Sequence, residues 1–370
     1  LDMNPLYVAL LGIIMFWVIL SEVNKRYNLS KYGVDFQGII LLWRTKKFND
    51  FIDNVSKKGK NIWNIYSMIG IAAAVVGMVA VFYLLFYNAI KVLLSPAPTP
   101  GVGFVIPGVT VPFWYSLIGL IVVLMVHEGS HGVIARANNI SLKSVGLALF
   151  VVLPGAFVEP DEEELKKTSR LTRMKVYAAG SMANFVTALI AFVLIMAVVN
   201  PLLTPSGIEI MSIEESSGAF GMLSQGDIIT EINGVKIEIL QDFYDIMQDT
   251  NPGDTLSIAT DKGTFDILLK DHPTEAGKGY IGIVTSQNYN SPVSMKILTP
   301  ISGVLFWIFL LNFNIGLINL FPMPFLFDGG KIFKEIVDTK FSEANSNAIQ
   351  KVFAGIGILL FAINILPSFL

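Results

Sequence analysis

The chain has no cysteine in 370 residues. That excludes disulfides and any thiolate metal site, leaving imidazole and carboxylate as the strong protein ligands, so any zinc bound by this chain should be catalytic rather than structural. Histidine is scarce as well, with three in all. Asp, Glu, Lys and Arg together make only 15% of the chain, hydrophobic residues make 53%, and the mean hydropathy is +0.61. This is too apolar for an ordinary soluble protein of this size. No basic face with interleaved aromatics occurs, and a net charge of −3 gives no footprint for a nucleic-acid partner. The composition is that of a multi-pass α-helical membrane protein.

Apolar stretches long enough to span a bilayer run over 5–21, 62–94, 111–135, 176–203, 297–321 and 349–370, which predicts about six transmembrane helices. No basic residue precedes the first, as a signal peptide would require, so it is read as a span. The segment 145–158 is apolar but short and is broken by Pro154-Gly155, which fits a re-entrant β-hairpin-like element better than a span. Residues 25–60 carry nine Lys or Arg against three Asp or Glu, and 159–175 carry five Lys or Arg, marking both as cytoplasmic. Threading six helices through these constraints puts both termini, and the loop after the fourth helix, on the other side.

Inside the third span stands Met125-Val126-His127-Glu128-Gly129-Ser130-His131. Over 111–135 it supplies the only histidines and the only charged residue. On a helix, imidazoles four residues apart lie about 40° apart around the axis and about 6 Å apart along it, so both can reach one metal. Glu128 projects to the side, close enough to take a proton from a metal-bound water. Polar groups in hydrocarbon cost several kcal/mol unless paired or bound to a metal, so a purely structural reason for this trio is hard to find. His131 lies five residues before Arg136, or about 8 Å of helix, placing the centre within the bilayer near the cytoplasmic face.

Two histidines need a third ligand. Asp328 is the candidate, because it is the only acidic residue in 298–330 and follows the fifth span in a stretch containing Pro322 and Pro324. The prolines should unwind the helix end and let the carboxylate turn back. Glu159, at the end of the short apolar segment, is the rival. His272, beside Asp271 and Lys270, reads as a solvated residue.

Between 205 and 290 the composition becomes that of a soluble domain, with fourteen Asp or Glu against four Lys. Gly226-Asp227-Ile228-Ile229-Thr230-Glu231-Ile232-Asn233-Gly234 reads as turn, strand and turn, and 239–248 has helical spacing. This α/β stretch resembles a PDZ domain. The resemblance implies capture of an extended peptide, often a free C-terminus, with Gly279-Tyr280-Ile281-Gly282 as the carboxylate-binding loop. The other reading of the domain is a bulky plug that binds no peptide.

The chain as a whole resembles the site-2 protease family of intramembrane zinc metalloproteases. The resemblance rests on HEGSH at 127–131, on Gly180-Ser181-Met182-Ala183-Asn184 as a G-x-x-x-N pattern, and on the N-x-x-P…D-G pattern of 319–329. Pro154-Gly155-Ala156-Phe157-Val158 and the basic loop containing Trp43 resemble the eukaryotic branch. One departure is that Phe327 precedes the aspartate and the step from Asn319 to Asp328 is nine residues, longer than usual, so the loop must bulge.

The resemblance implies one catalytic Zn2+ held by His127, His131 and Asp328, with Glu128 as general base and acid. Asn184 and Asn319 would bond the substrate backbone or the oxyanion. The implied activity is hydrolysis of a peptide bond within transmembrane segments after a prior cut by another protease, with membrane lipid as surroundings. The expected organisation is a first helix and basic loop over 1–61, a membrane domain with the zinc helix over 62–203, the PDZ-like extracytoplasmic domain over 204–292, and C-terminal helices over 293–370. Two other classes compete. An inactive scaffold recruiting proteins through the PDZ-like domain would tolerate loss of Glu128, and a metal transporter would show a path of ligands and an internal repeat.

Overall fold

The computed structural model describes residues 5–45, 48–103, 105–151, 153–324 and 326–369. The chain divides into two compact units, Leu1–Val193 with Gly303–Leu370, and Leu194–Ser302.

The first unit opens with helix α1 (Pro5–Tyr27), which stops where Asn28 takes a left-handed conformation. Strands β1 (Val34–Gln37) and β2 (Ile40–Thr45) follow, then helices α2 (Asn49–Lys57), α3 (Lys60–Leu94) and α4 (Phe113–Ala137). The segment expected to be re-entrant forms β3 (Leu142–Phe150) and β4 (Leu153–Pro160). It does not stand alone, because β2 pairs with β3 and the four strands make one antiparallel sheet in the order β1-β2-β3-β4. The basic loop of 25–60 therefore contributes a hairpin as well as charge. At the tip of the β3–β4 hairpin, Val151 O accepts from Trp17 Nε1 of α1 at 2.9 Å.

α4 changes character along its length. Met125 is 65% exposed, whereas Gly132, Val133, Ile134 and Ala135 are buried in a core shared with Ile52 of α2, Leu142 of β3 and Val176. A Cβ at Gly132 would lie 3.1 Å from Val158 and 3.2 Å from Ile52, so β4 and α2 both press against this end of α4. The Arg136 guanidinium forks onto both carboxylate oxygens of Asp53, fixing α2 to the last turn. Helix α5 (Glu162–Lys167) is capped by Asp161, whose carboxylate accepts from the Glu163 and Glu164 amides. Helix α6 (Arg170–Leu194) begins six residues before the apolar stretch, its charged first turns being helical too, and it runs on through a π turn to Val199.

The second unit contains β5 (Thr204–Ile213), β6 (Ile228–Ile232), β7 (Val235–Lys236), α7 (Leu240–Gln248), β8 (Thr255–Thr260), β9 (Gly263–Leu268), β10 (Lys270–Asp271), β11 (Gly279–Tyr280) and β12 (Ile283–Asn290). Its main sheet runs β12-β5-β6-β8-β9, with β7 folded back on β6 through the positive-φ pair Asn233-Gly234. Ile208, Ile210, Ile229, Ile232, Ile258 and Ile267 are fully buried within it. This domain therefore has an isoleucine core of its own.

Helix α8 (Met295–Ile318) leads back into the first unit, followed by α9 (Asp328–Val337) and α10 (Glu343–Ile365). Five of the described helices are long and apolar enough to cross a membrane: α3, α4, α6 with its extension to Leu202, α8, and α10 continued to Ser368. Small residues let α8 approach α4. A Cβ at Gly119 would lie 3.0 Å from the Trp307 carbonyl, and one at Gly303 would lie 3.1 Å from the Tyr115 ring. α10 is tied to α3 by side-chain amides, that of Asn364 fully buried: Asn88 Nδ2 donates to Asn364 Oδ1, and Asn364 Nδ2 donates to Leu85 O, both at 2.9 Å.

Candidate metal centre

α8 ends at Ile318, four residues before Pro322, and the chain turns through the fully buried Leu320 and Phe321. The turn is closed by Gly329 N donating to Asn319 O at 2.8 Å. Only glycine fits at the return, because a Cβ at Gly329 would lie 2.1 Å from Leu320 O and one at Gly330 would lie 2.3 Å from Met323 O. Asp328 thus becomes the first residue of α9, 7% exposed and facing α4. The longer step from Asn319 is absorbed in this turn.

Asp328 Oδ2 lies 3.2 Å from His127 Nε2 and 3.0 Å from His131 Nε2. One ligand atom from each residue falls within 4.8 Å of the other two. Tetrahedral zinc at bond lengths of 2.0–2.1 Å separates its donors by roughly 3.3 Å, so the two distances from Asp328 Oδ2 to the imidazole nitrogens suit a shared ion.

The outer ring nitrogens have partners. His131 Nδ1 lies 2.7 Å from Val176 O. A carbonyl only accepts, so Nδ1 carries the proton and Nε2 presents a lone pair. His127 Nδ1 lies 3.0 Å from the Asn184 amide. As placed, the amide nitrogen Nδ2 faces the ring; exchanging the amide's O and N makes Nδ1 the proton carrier, frees Nε2 to ligate, and leaves the NH2 at the position now held by Oδ1. Asn184 is fully buried, and its Oδ1 has no hydrogen-bond partner among the described residues.

Two lone pairs and a carboxylate oxygen at 3 Å repel unless a proton or cation lies between them. The space for one exists, because Gly180 faces it: a Cβ there would stand 2.5 Å from His131 Nε2 and 2.6 Å from His127 Nε2. The donor set of two imidazoles and one carboxylate suits zinc. Val176, Gly180 and Asn184 recur every fourth residue, so one face of α6 serves both rings.

Glu128 is half-buried, and its Oε2 accepts from Val158 N of β4 at 3.1 Å. Ser130 Oγ contacts Tyr66 OH at 3.2 Å, tying α4 to α3. Glu159 does not join the cluster, being held by Arg44 at 2.8 Å and Ser144 Oγ at 2.7 Å. Asn319 enters through its main chain, as the carbonyl that closes the turn carrying Asp328. In the other unit, Gly279 N donates to Thr250 O, Gly282 O accepts from Glu214 N, and Tyr280 OH donates to the Glu214 carboxylate at 2.7 Å; Ile281 is buried between them. His272 is half-buried, its Nδ1 accepting from the Glu275 amide at 3.1 Å.

Three participants had not been identified from the sequence: the Val176 carbonyl, the Val158 amide and Lys331, whose Nζ lies 2.9 Å from Asp328 Oδ1. The two main-chain groups have no sequence signature. Lys331 had one, since a base three residues after an acid on a helix faces it.

Helices of membrane-spanning length around a His-Glu-x-x-His pair and a returning aspartate define a membrane protein with a candidate metal centre. The chain belongs to Peptidase family M50, whose pattern matches residues 115–367, a family of zinc metalloproteases. An uncharacterized protein of Methanocaldococcus jannaschii, MJ0971, is 29% identical over 336 residues, covering 88% of this chain and 84% of that one. A membrane-bound transcription factor site-2 protease homolog of Arabidopsis thaliana is 25% identical over 205 residues, covering 52% of this chain and 39% of the plant protein. Among solved structures, the PDZ domain of an SdrC-like protein of Listeria monocytogenes is 32% identical, covering 22% of this chain and 87% of that one at a TM-score of 0.21.

Proposed function

We propose that the protein is an intramembrane zinc endopeptidase that cuts a peptide bond within transmembrane segments of other proteins. The observation carrying this reading is the convergence of His127, His131 and Asp328, with Gly180 keeping the space between them open. Zinc bound there supplies Lewis acidity to the scissile carbonyl and makes water nucleophilic at neutral pH.

Glu128 takes the proton of the attacking water and returns it to the leaving amine. The Val158 amide holds one of its oxygens in place and leaves the other free for that transfer. With its oxygen turned to His127, Asn184 has its NH2 left to donate to the substrate backbone or the developing oxyanion, and Asn319 is assigned to the same task. β4 is an edge strand of its sheet, and its Val158 amide touches the general base. A substrate helix that unwinds can add to this edge as a further strand and bring a peptide bond to the centre.

α1 is taken as a sixth span. The basic stretches then lie on the cytoplasmic side with the centre near that face, and both termini and the 204–292 domain lie outside. That domain is read as PDZ-like, binding a peptide C-terminus or excluding bulky substrates, so that the enzyme acts on chains already shortened by another protease.

The test is cleavage of a model transmembrane peptide by wild type and by Glu128→Gln, with zinc content measured in both. The expected result is a fall in kcat of about 10²- to 10⁴-fold with zinc retained. Equal cleavage by the variant would overturn the assignment, and a wild type that binds zinc yet cleaves no transmembrane peptide would favour a scaffold or a transporter.

A further inference from the structure

A carboxylate ligand has two oxygens, and how the second is occupied decides how many metal positions it fills. If both bind, the position a metalloprotease keeps open for water is lost. In this centre the two oxygens of Asp328 have different surroundings. Oδ2 faces both imidazoles, at 3.2 and 3.0 Å. Oδ1 is 2.9 Å from the Lys331 ammonium, one turn further along α9.

Lys331 is itself positioned. Its Nζ lies 5.6 Å from the centre of the Tyr177 ring, within reach of a cation–π attraction. Tyr177 adjoins Val176, whose carbonyl orients His131. Asp328 is also fixed from behind by the Gly329–Asn319 bond. The carboxylate is thus gripped at its main chain and at one oxygen, and only the other oxygen is left to the centre.

We infer that Lys331 is a positioning residue that holds Asp328 as a one-oxygen ligand and so preserves the open coordination position. The inference rests on the metal reading of this site and adds to it a device that sets coordination number. A hydrogen bond from an ammonium to a carboxylate is among the stronger kinds, and loss of such an outer partner typically costs about 10- to 100-fold in metal affinity or activity. Lys331 also adds one positive charge beside the two carboxylates, Asp328 and Glu128.

The experiment uses the full chain in detergent with cobalt(II) in place of zinc, because the intensity of the cobalt visible bands reports coordination number. Wild type is expected to show the intense bands of a four-coordinate ion. Lys331→Met is expected to take up cobalt with weaker bands, as Oδ1 turns inward and a fifth bond forms, and to lose peptidase activity about 10- to 100-fold. Lys331→Arg, which keeps a donor cation, is expected to retain the wild-type spectrum. Should Lys331→Met take up no cobalt, Lys331→Ala, which likewise has no donor, supplies the same comparison.

An unchanged spectrum in a cobalt-loaded variant lacking the ammonium overturns the inference while leaving the zinc site standing. A wild type that binds no cobalt, or binds it equally well after His127→Ala, removes the metal reading and this inference together.

Discussion

Two aspartates in different units are buried to a similar degree and do different things. Asp227 in the inserted domain is 2% exposed, and Asp328 in the membrane unit is 7% exposed. The partners of Asp227 are all donors. Its Oδ2 accepts from Ser224 N at 2.8 Å, and its Oδ1 takes the Lys262 ammonium. Both oxygens are answered by donors, and the result is a closed turn ahead of β6. Asp328 has such an answer at one oxygen only. The other faces two imidazole nitrogens, one of which must present a lone pair because its ring is held from behind by a carbonyl. Burial does not separate a structural carboxylate from one proposed to ligate a metal; what the neighbouring groups are already bonded to does.

Exchanging each aspartate for asparagine sharpens that contrast. Asp328→Asn is expected to lose bound zinc and with it all measurable peptidase activity, read by metal analysis and cleavage of a transmembrane peptide. Asp227→Asn should keep zinc and cleave a short substrate normally, while destabilising its own domain by about 1–3 kcal/mol, read by amide hydrogen exchange in the full chain. If both variants kept their metal, the distinction would collapse.

The glycines offer a narrower version. Gly180→Ala should deplete the metal, since its Cβ would stand 2.5 Å from His131 Nε2. Gly129→Ala, inside the His-Glu-x-x-His sequence but with nothing within 4 Å of its Cβ, should leave metal content unchanged. Metal analysis of the two purified variants decides it, and equal occupancy would remove Gly180 from the site.

The smallest effect concerns pH. Burial acts to push the Asp227 carboxyl up, but the Lys262 ammonium and the Ser224 amide outweigh it, so the group titrates below the usual carboxylate range. A lowered folded value means that its contribution to stability is complete above about pH 4, the unfolded value, and is lost as pH falls through the folded one. Hydrogen-exchange protection of the domain should therefore decline with acid below about pH 4 in wild type. The Asp227→Asn variant should lack this component of the decline, and parallel curves would show that Asp227 carries no such linkage.

How much of this could be read from the residues depended on the kind of bond involved. The spans were visible because apolar length is local: 111–135 was expected and Phe113–Ala137 is helical. Their ends were less so. α6 starts at Arg170 because a polar first turn is still a turn of helix, and α8 stops at Ile318 because Pro322, four residues on, has no N–H for the Ile318 carbonyl and its ring crowds that oxygen. β1 and β2 escaped notice within the basic loop because four and six residues show little alternation, and β2 pairs with a strand about a hundred residues away. His127, His131 and Asp328 could be found from side-chain chemistry and spacing alone. The groups that orient them are largely carbonyls and amides, which every residue carries, so only the fold brings them into view.

One face of α6 carries the acceptor for one imidazole, the amide for the other and the gap between them. A slip of that helix by one residue, about 1.5 Å of travel and about 100° of rotation, would withdraw the Val176 oxygen, displace Asn184 and swing a side chain into the opening all at once. A change of register would therefore release both rings together. In that respect the helix stands to the centre as a single rod to a clutch, and injuries along that rod should fail to add.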